Sequence, residues 1–388
     1  MKKTILSLAS ALALVSCAEQ AKEATLGLTE EQFGTAEYDG QQVKLFTIKN
    51  AQTGMVAQLT NQGAKLVSLF TPDKDGKMGD VVLGYATAQE YANCDNAKGV
   101  GEPFFGATIG RYGNRIAEGK FTIDGEETQV EINERPGKSL HGGTKGYHSQ
   151  MFGVKEQTEN KVVFTLHDAD GTMGYKGNVD VELAYELCDC GGLKLTYTAT
   201  TDAPTPINLT HHSFFNLNGE DGAETINDHI LMIPAESITP VNPVLIPTGE
   251  FMPVAGTAFD FNTPHAIADS LESDHIQMKF GGGYDHNWVL SSEPNEKGLR
   301  VAAEVVAPKT GRKMTVLTTE PGVQFYGGNF LNNTQVGKSG KTYPKRSALC
   351  LETQHFPDSP NHDNFPSTIL RPGETYNHVC IYKFEVVK

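Results

Sequence analysis

The stretch NVDVELAYELCDCGGLKLTYTAT, residues 178–200, decides the fold. Val179, Val181, Leu183 and Tyr185 alternate with Asp180, Glu182 and Ala184, and Leu193, Leu195, Tyr197 and Ala199 repeat the rhythm after two glycines. Alternation with a period of two belongs to half-buried antiparallel strands, and Gly191-Gly192 stands where a hairpin needs residues tolerant of unusual backbone angles. The same signature recurs outward along the chain. Residues 42–49 and 55–60 read as a hairpin turning at 50–54, residues 65–70 and 80–84 flank a loop at 71–76, and residues 161–167 form a further strand. A helical period is never sustained beyond about ten residues, with short turns expected near Ala88–Tyr91 and Ile267–Ser270. Forty glycines and nineteen prolines suit many short strands joined by turns. The expectation is an all-β protein, a large antiparallel β-sandwich, with residues 35–388 as one domain.

The first seventeen residues stand apart. Lys2 and Lys3 precede an apolar and small-residue run, Ile5 to Val15, and Leu14-Val15-Ser16-Cys17 follows. This pattern is a secretory signal, too short to span a bilayer stably, and the Cys resembles the acylated residue of a bacterial lipobox. Cys17 is the expected lipidation site and residues 18–34 a polar tether. The chain is therefore expected to be exported and held by its lipid in the periplasm or at the outer membrane, as a monomer or dimer, with no other membrane contact.

A formal charge of −15 excludes nucleic acid as a natural partner. Such an acidic chain is compatible with a structural calcium ion, although no EF-hand loop is present. Five cysteines remain beyond Cys17, an odd number without framework spacing. Cys188 and Cys190 are too close for an ordinary bridge, so buried free thiols are expected.

Five islands set ionisable residues among strand-like neighbours: Thr108-Ile-Gly-Arg-Tyr-Gly-Asn-Arg-Ile116, Ser139-Leu-His-Gly-Gly143, Ile207-Asn-Leu-Thr-His-His-Ser-Phe-Phe-Asn-Leu217, Gly283-Tyr-Asp-His-Asn287 and Cys350-Leu-Glu-Thr-Gln354. Taken singly, each reads as a satisfied polar residue at a strand end. On a strand at 348–353, Leu349 and Leu351 face one way, Cys350 and Glu352 the other; a carboxylate so close to apolar neighbours is either paired or employed. Cys350 itself reads as a packed thiol, since no nucleophile signature surrounds it. His212 can donate a proton near neutrality, and His211 must point oppositely if the segment is extended. Asp285 and His286 follow three glycines that permit close approach of a ligand. Arg115, beside Asn114, offers planar donors for hydroxyl oxygens, and Gln324 adds an amide beside Phe325 and Tyr326.

Read together and in order, these islands resemble the aldose 1-epimerase (galactose mutarotase) family. The likeness spans residues 40–386, including the Pro-Gly-Val-Gln-Phe-Tyr segment at 321–326. It implies the mutarotase-like supersandwich, with Glu352 as base, His212 as acid, and Asn114, Arg115, His141, Asp285 and Gln324 as sugar-binding groups. His211 departs from the pattern, which usually has Asn there. The implied reaction exchanges the α and β anomers of a free aldose such as glucose or galactose. A base takes the C1 hydroxyl proton, an acid protonates the ring oxygen, the C1–C2 bond turns and the ring recloses. This needs no cofactor and no metal. Ordinary values near 4.3 for a carboxyl and 6.5 for imidazole set the two groups oppositely at neutral pH. Three other readings compete: a hexose-6-phosphate epimerase, which would need a basic phosphate site; a sugar-binding protein without catalysis; and a metal hydrolase built on His211, His212, Asp285 and His286, which lack metal-ligand spacing.

Overall fold

The computed structural model describes residues 26–93, 104–221 and 224–387. The 178–200 stretch forms the expected hairpin, Val179–Cys188 paired with Gly192–Thr201 from Val179↔Thr201 to Cys188↔Gly192. Val181, Leu183, Tyr185 and Leu187 are buried while Asp180 and Glu182 face out. This hairpin lies within a nine-stranded antiparallel sheet whose spatial order is 153–157, 161–168, 179–188, 192–201, 376–386, 312–318, 300–306, 230–232 and 265–266. The C-terminal strand Tyr376–Val386 thus sits in the middle of the sheet, between Gly192–Thr201 and Arg312–Thr318.

A five-stranded sheet, ordered 252–253, 235–239, 285–290, 322–326 and 350–354, packs over it, with a four-stranded sheet built from Leu45–Lys49, Val56–Thr60, Lys65–Pro72 and Met78–Asp80. One apolar cluster joins the three sheets, running from Leu59 and Leu66 through Leu183 and Tyr197 to Phe325 and Leu351. The fold is the expected all-β sandwich. Among the described residues, helix is confined to short turns such as Ala88–Asn93 and Ile276–Gly281.

Several local expectations shift. The strand expected at 80–84 ends at Asp80, after which Val82 makes only an isolated bridge to Phe215. The tether does not reach residue 34. Thr29 caps a short helix, Glu30–Phe33, in a capping box with Gln32, and Phe33 is buried beside Tyr91 at a ring distance of 6.0 Å. Leu28 also exchanges hydrogen bonds with Gln58. A buried Phe four residues after a cap is a docked element, so any tether ends before residue 28. Cys188 and Cys190 are joined as a disulfide across the hairpin turn, contrary to the free thiols expected there, whereas Cys350 and Cys380 are buried and free. Cys17 and Cys94 lie outside the described residues.

Candidate active site

The last three strands of the five-stranded sheet, 285–290, 322–326 and 350–354, are buried almost throughout yet carry polar residues. Asp285, Asn287, Gln324, Glu352 and Gln354 are all buried, and burying such groups is costly unless they are paired or used. Register explains their convergence. Gln324 stands opposite Glu352, and Asn287 opposite Gln324, so three chain-distant polar side chains line up across adjacent strands. As expected, Leu349 and Leu351 join the main core, while Cys350 and Glu352 face the other way.

The face carrying Glu352 borders a cavity of about 270 Å³. Its polar lining is Asn114, Arg115, His141, His212, Asp285, Gln335 and Glu352; Phe104, Phe214, Tyr326, Phe330 and Leu331 supply flat or apolar surface. His212 arrives from the strand Thr210–His212, which pairs with Ala107–Ile109. Its Nε2 lies 3.6 Å from Glu352 Oε1. Its Nδ1 is 3.4 Å from the Cys350 thiol, and its ring stacks on Phe214 at 4.9 Å. The Cys350 side chain therefore braces the imidazole, and burial pushes its own thiol well above the usual range.

Asn114 and His141 fix each other. Both adopt left-handed backbone angles, φ 61° and 51°. The His141 amide donates to the Asn114 carbonyl at 2.9 Å, and the Asn114 amide donates to His141 Nδ1 at 3.1 Å. A ring nitrogen that accepts cannot carry the proton, so neutral His141 holds it on Nε2. Burial, with His212, Arg115 and His148 nearby, keeps this imidazole well below its ordinary pKa and therefore neutral. Ligand atoms of His141, His212 and Glu352 fall within 4.8 Å of one another, a spacing that resembles a metal site. A metal, however, needs the Nε2 lone pair, and the Asn114 amide leaves His141 an N–H there. The site is built to donate a hydrogen bond.

Arg115 is held by both oxygens of Glu134, Nε to Oε2 at 2.8 Å and Nη2 to Oε1 at 3.1 Å. Sequence gave no sign of this Glu134 clamp. Gln324, opposite Glu352 in the register, donates its Nε2 to Asp285 Oδ1 at 2.7 Å and so orients that carboxylate. His211 and His286 point elsewhere. His211 meets Ser213 Oγ at 3.0 Å and the Tyr185 ring at 5.6 Å. His286 contacts Gln277 Oε1 at 3.2 Å and the Phe259 ring at 4.8 Å. The four-residue metal-hydrolase arrangement is thereby excluded. Phe104, Phe214, Phe330, Leu331 and Gln335 also line the cavity; of these Phe104 and Gln335 lie outside every segment the sequence singled out.

The electrostatics depart from the reference values. Burial, and then the Asp285 carboxylate, push the Glu352 carboxyl well above its ordinary range, with Arg115 opposing. Burial drives His212 down to about 3. Both shifts disfavour charge in a dry pocket. Among the described residues, the buried acceptors Glu352 Oε2 and Gln324 Oε1 at this face have no hydrogen-bond partner, and neither has Gln335 Oε1. Unsatisfied acceptors beside flat aromatic faces match a ligand rich in hydroxyl donors.

Comparison with known proteins agrees with this geometry. The family model described as aldose 1-epimerase matches residues 44–383. Galactose mutarotase of Rattus norvegicus is 41% identical over 93% of this chain and 99% of its own length. Aldose 1-epimerase of Escherichia coli (strain K12) is 38% identical over 89% of this chain and 96% of its own. Among solved structures, an aldose epimerase homologue from C. elegans superposes with a TM-score of 0.79 at 28% identity, covering 89% of this chain and 100% of that one. A galactose 1-epimerase from Lactobacillus acidophilus NCFM gives 0.77 at 26% identity, covering 91% and 97%. A shared scaffold, relatives about 40% identical over nearly the whole chain, and a cavity presenting a carboxyl, an imidazole and donors for hydroxyls lead to one conclusion: the chain belongs to the aldose 1-epimerase family.

Proposed function

We propose that this aldose 1-epimerase exchanges the α and β anomers of free aldoses by passing protons through Glu352 and His212. The observation that carries the reading is the 3.6 Å approach of His212 Nε2 to Glu352 Oε1 at the wall of a buried cavity. Glu352 takes the C1 hydroxyl proton while His212 gives a proton to the ring oxygen, the C1–O5 bond breaks and an aldehyde forms. Rotation about C1–C2 presents the other carbonyl face. O5 then returns its proton to His212 as it attacks C1, and Glu352 reprotonates O1.

The pair therefore alternates between Glu⁻/HisH⁺ with the ring closed and GluH/His with it open, with no net proton gained or lost. In water the reference pKa values favour the first distribution. Burial raises the carboxyl and lowers the imidazole to about 3, which opposes that preference and shifts the shared proton towards Glu352. His141 presents its fixed Nε2–H to charge developing on a sugar oxygen. Arg115, Asp285 and Asn114 hold hydroxyls.

Among the described residues lining the cavity, Arg115 is the one permanent cation, and it is already clamped by Glu134. That arrangement suits a neutral sugar better than a sugar phosphate. Glu352→Gln should lower turnover of fresh α-D-glucose by about 10²–10⁴-fold in polarimetry while sugar binding persists; near-normal rates would overturn the assignment.

We also infer that the enzyme is exported and anchored through acylated Cys17. The support is the Lys2-Lys3, apolar run and Leu14-Val15-Ser16-Cys17 pattern, which lies outside the described residues. The anchor is stable once two or more acyl chains are attached. Cys17→Ser should move the protein from the membrane to the soluble fraction; a variant still sedimenting with membranes would refute the anchor.

A further inference from the structure

The reactive end of the cavity is made of committed groups. Glu134 holds Arg115, Gln324 holds Asp285, and Asn114 and His141 hold each other. A second part of the lining comes from Tyr326 and the long connection to the strand Cys350–Gln354, and it is largely apolar. Phe330 lies nearly parallel to Tyr326, with ring centres 5.9 Å apart and planes at 22°. The Tyr326 hydroxyl is engaged by the Phe330 backbone amide at 2.8 Å. Gln335 is the remaining polar side chain on this wall. Among the described residues no hydrogen bond reaches its amide group, and its Oε1 is enclosed without a partner. Leaving an enclosed acceptor unpaired is costly, and a hydroxyl donor inside the cavity removes that cost.

The wall is also fixed in place. The Lys338 ammonium is buried against Asp80 Oδ2 at 2.8 Å, Val82 O at 2.9 Å and Ser68 Oγ at 3.2 Å. The Tyr343 hydroxyl is held between Gly84 and Glu220, and the Asn333 amide donates to the Tyr343 carbonyl at 2.9 Å. A polar group on a preorganised wall discriminates among ligands, because a ligand lacking the matching hydroxyl leaves it unpaired.

We infer that Gln335 is a specificity-determining residue that reads one hydroxyl of the aldose on the part of the ring away from C1. The inference rests on the anomer-exchange reading, which sets C1 and O5 against Glu352 and His212 and leaves C3, C4 and C6 for the rest of the lining. It predicts dependence on a single hydroxyl.

The test is a double-mutant cycle between protein and sugar. Anomer exchange by D-glucose and its 3-deoxy, 4-deoxy and 6-deoxy derivatives is measured by NMR on the wild type and on Gln335→Leu. The expected result is a loss of about tenfold in kcat/KM for Gln335→Leu on glucose, carried by KM. For one deoxy sugar the same substitution should cause no further loss. An equal factor on all four sugars, a loss confined to kcat, or no change on any of them would overturn the proposal. Titrating the same four sugars into Glu352→Gln and into Glu352→Gln/Gln335→Leu reads the contact without turnover. A failed acid–base assignment is then distinguishable from a failed Gln335 contact.

Discussion

The imidazole of His212 and the carboxyl of Glu352 approach to 3.6 Å although neither strand pairs with the other: Thr210–His212 pairs with Ala107–Ile109, and Cys350–Gln354 with Gly322–Tyr326. They meet because Phe215, just past His212, bridges to Leu349, just before the Glu352 strand. The alignment is therefore backbone-determined, and the side chains need little rearrangement to share a substrate.

One consequence is an unusual pH profile. The working pair carries one proton, so the active form lies between the depressed His212 value of about 3 and the raised Glu352 value. We expect kcat/KM to stay flat through pH 6.5 on its acid side, with an alkaline limb where the pair loses its last proton. Arg115 lowers the Glu352 value and Asp285 raises it. Arg115→Met should thus move the alkaline limb upward, and Asp285→Asn should move it downward. Shifts of the same sign in both variants, or an acid limb near 6.5 in the wild type, would contradict this account.

The Asn114–His141 lock makes His141 a donor. His141→Gln retains an N–H at a similar reach and should keep activity within about tenfold, whereas His141→Ala should lose about 10²–10³-fold, the range for a lost oxyanion donor. Dialysis against EDTA should leave wild-type rates unchanged, since the Nε2 position is occupied by a proton. Loss of activity on chelation, restored by a divalent cation, would show that the tautomer is wrong.

A second acid–base pair lies behind the site and should govern stability. Glu320 accepts from His355 Nδ1 at 2.5 Å and lies 4.0 Å from His378. Burial alone would raise the Glu320 carboxyl, but His378 and His355 outweigh it and the net value is lowered; burial opposes protonation of His355, but Glu320 prevails and raises it. The depressed carboxyl contributes stability above its unfolded value near 4.5, lost as pH falls through the folded value. The raised imidazole contributes below 6.5, lost as pH rises through its folded value. The contribution is therefore fullest between those limits. Glu320→Gln should cost roughly 3 kcal/mol at pH 6, the lower end for breaking a buried pair, and clearly less at pH 9. Urea unfolding at the two pH values checks this, and equal losses would refute it.

Much of the architecture was legible because β periodicity is local. The Val179–Cys188 and Gly192–Thr201 strands, the Asn50–Gly54 turn and the opposed faces of Leu351 and Glu352 follow from alternation and glycine placement. So does the divergence of His211 and His212, one set against Tyr185 and the other lining the cavity. The motif order marked Asn114, Arg115, His141, His212, Asp285 and Glu352, which the fold does bring to one cavity.

What the tertiary structure alone decided concerns distance and environment. No local pattern shows that Gln324 donates to Asp285, that Glu134 clamps Arg115, or that Gln335 faces the cavity from a long connection. Nor could composition show that Phe33 docks or that Cys188 and Cys190 join. The pKa values of Glu352 and His212 depend on how completely neighbouring strands exclude water, a property of the assembled sheets. Residue identity fixes which groups can exchange protons; desolvation and cross-strand register, which exist only after folding, fix where those protons rest.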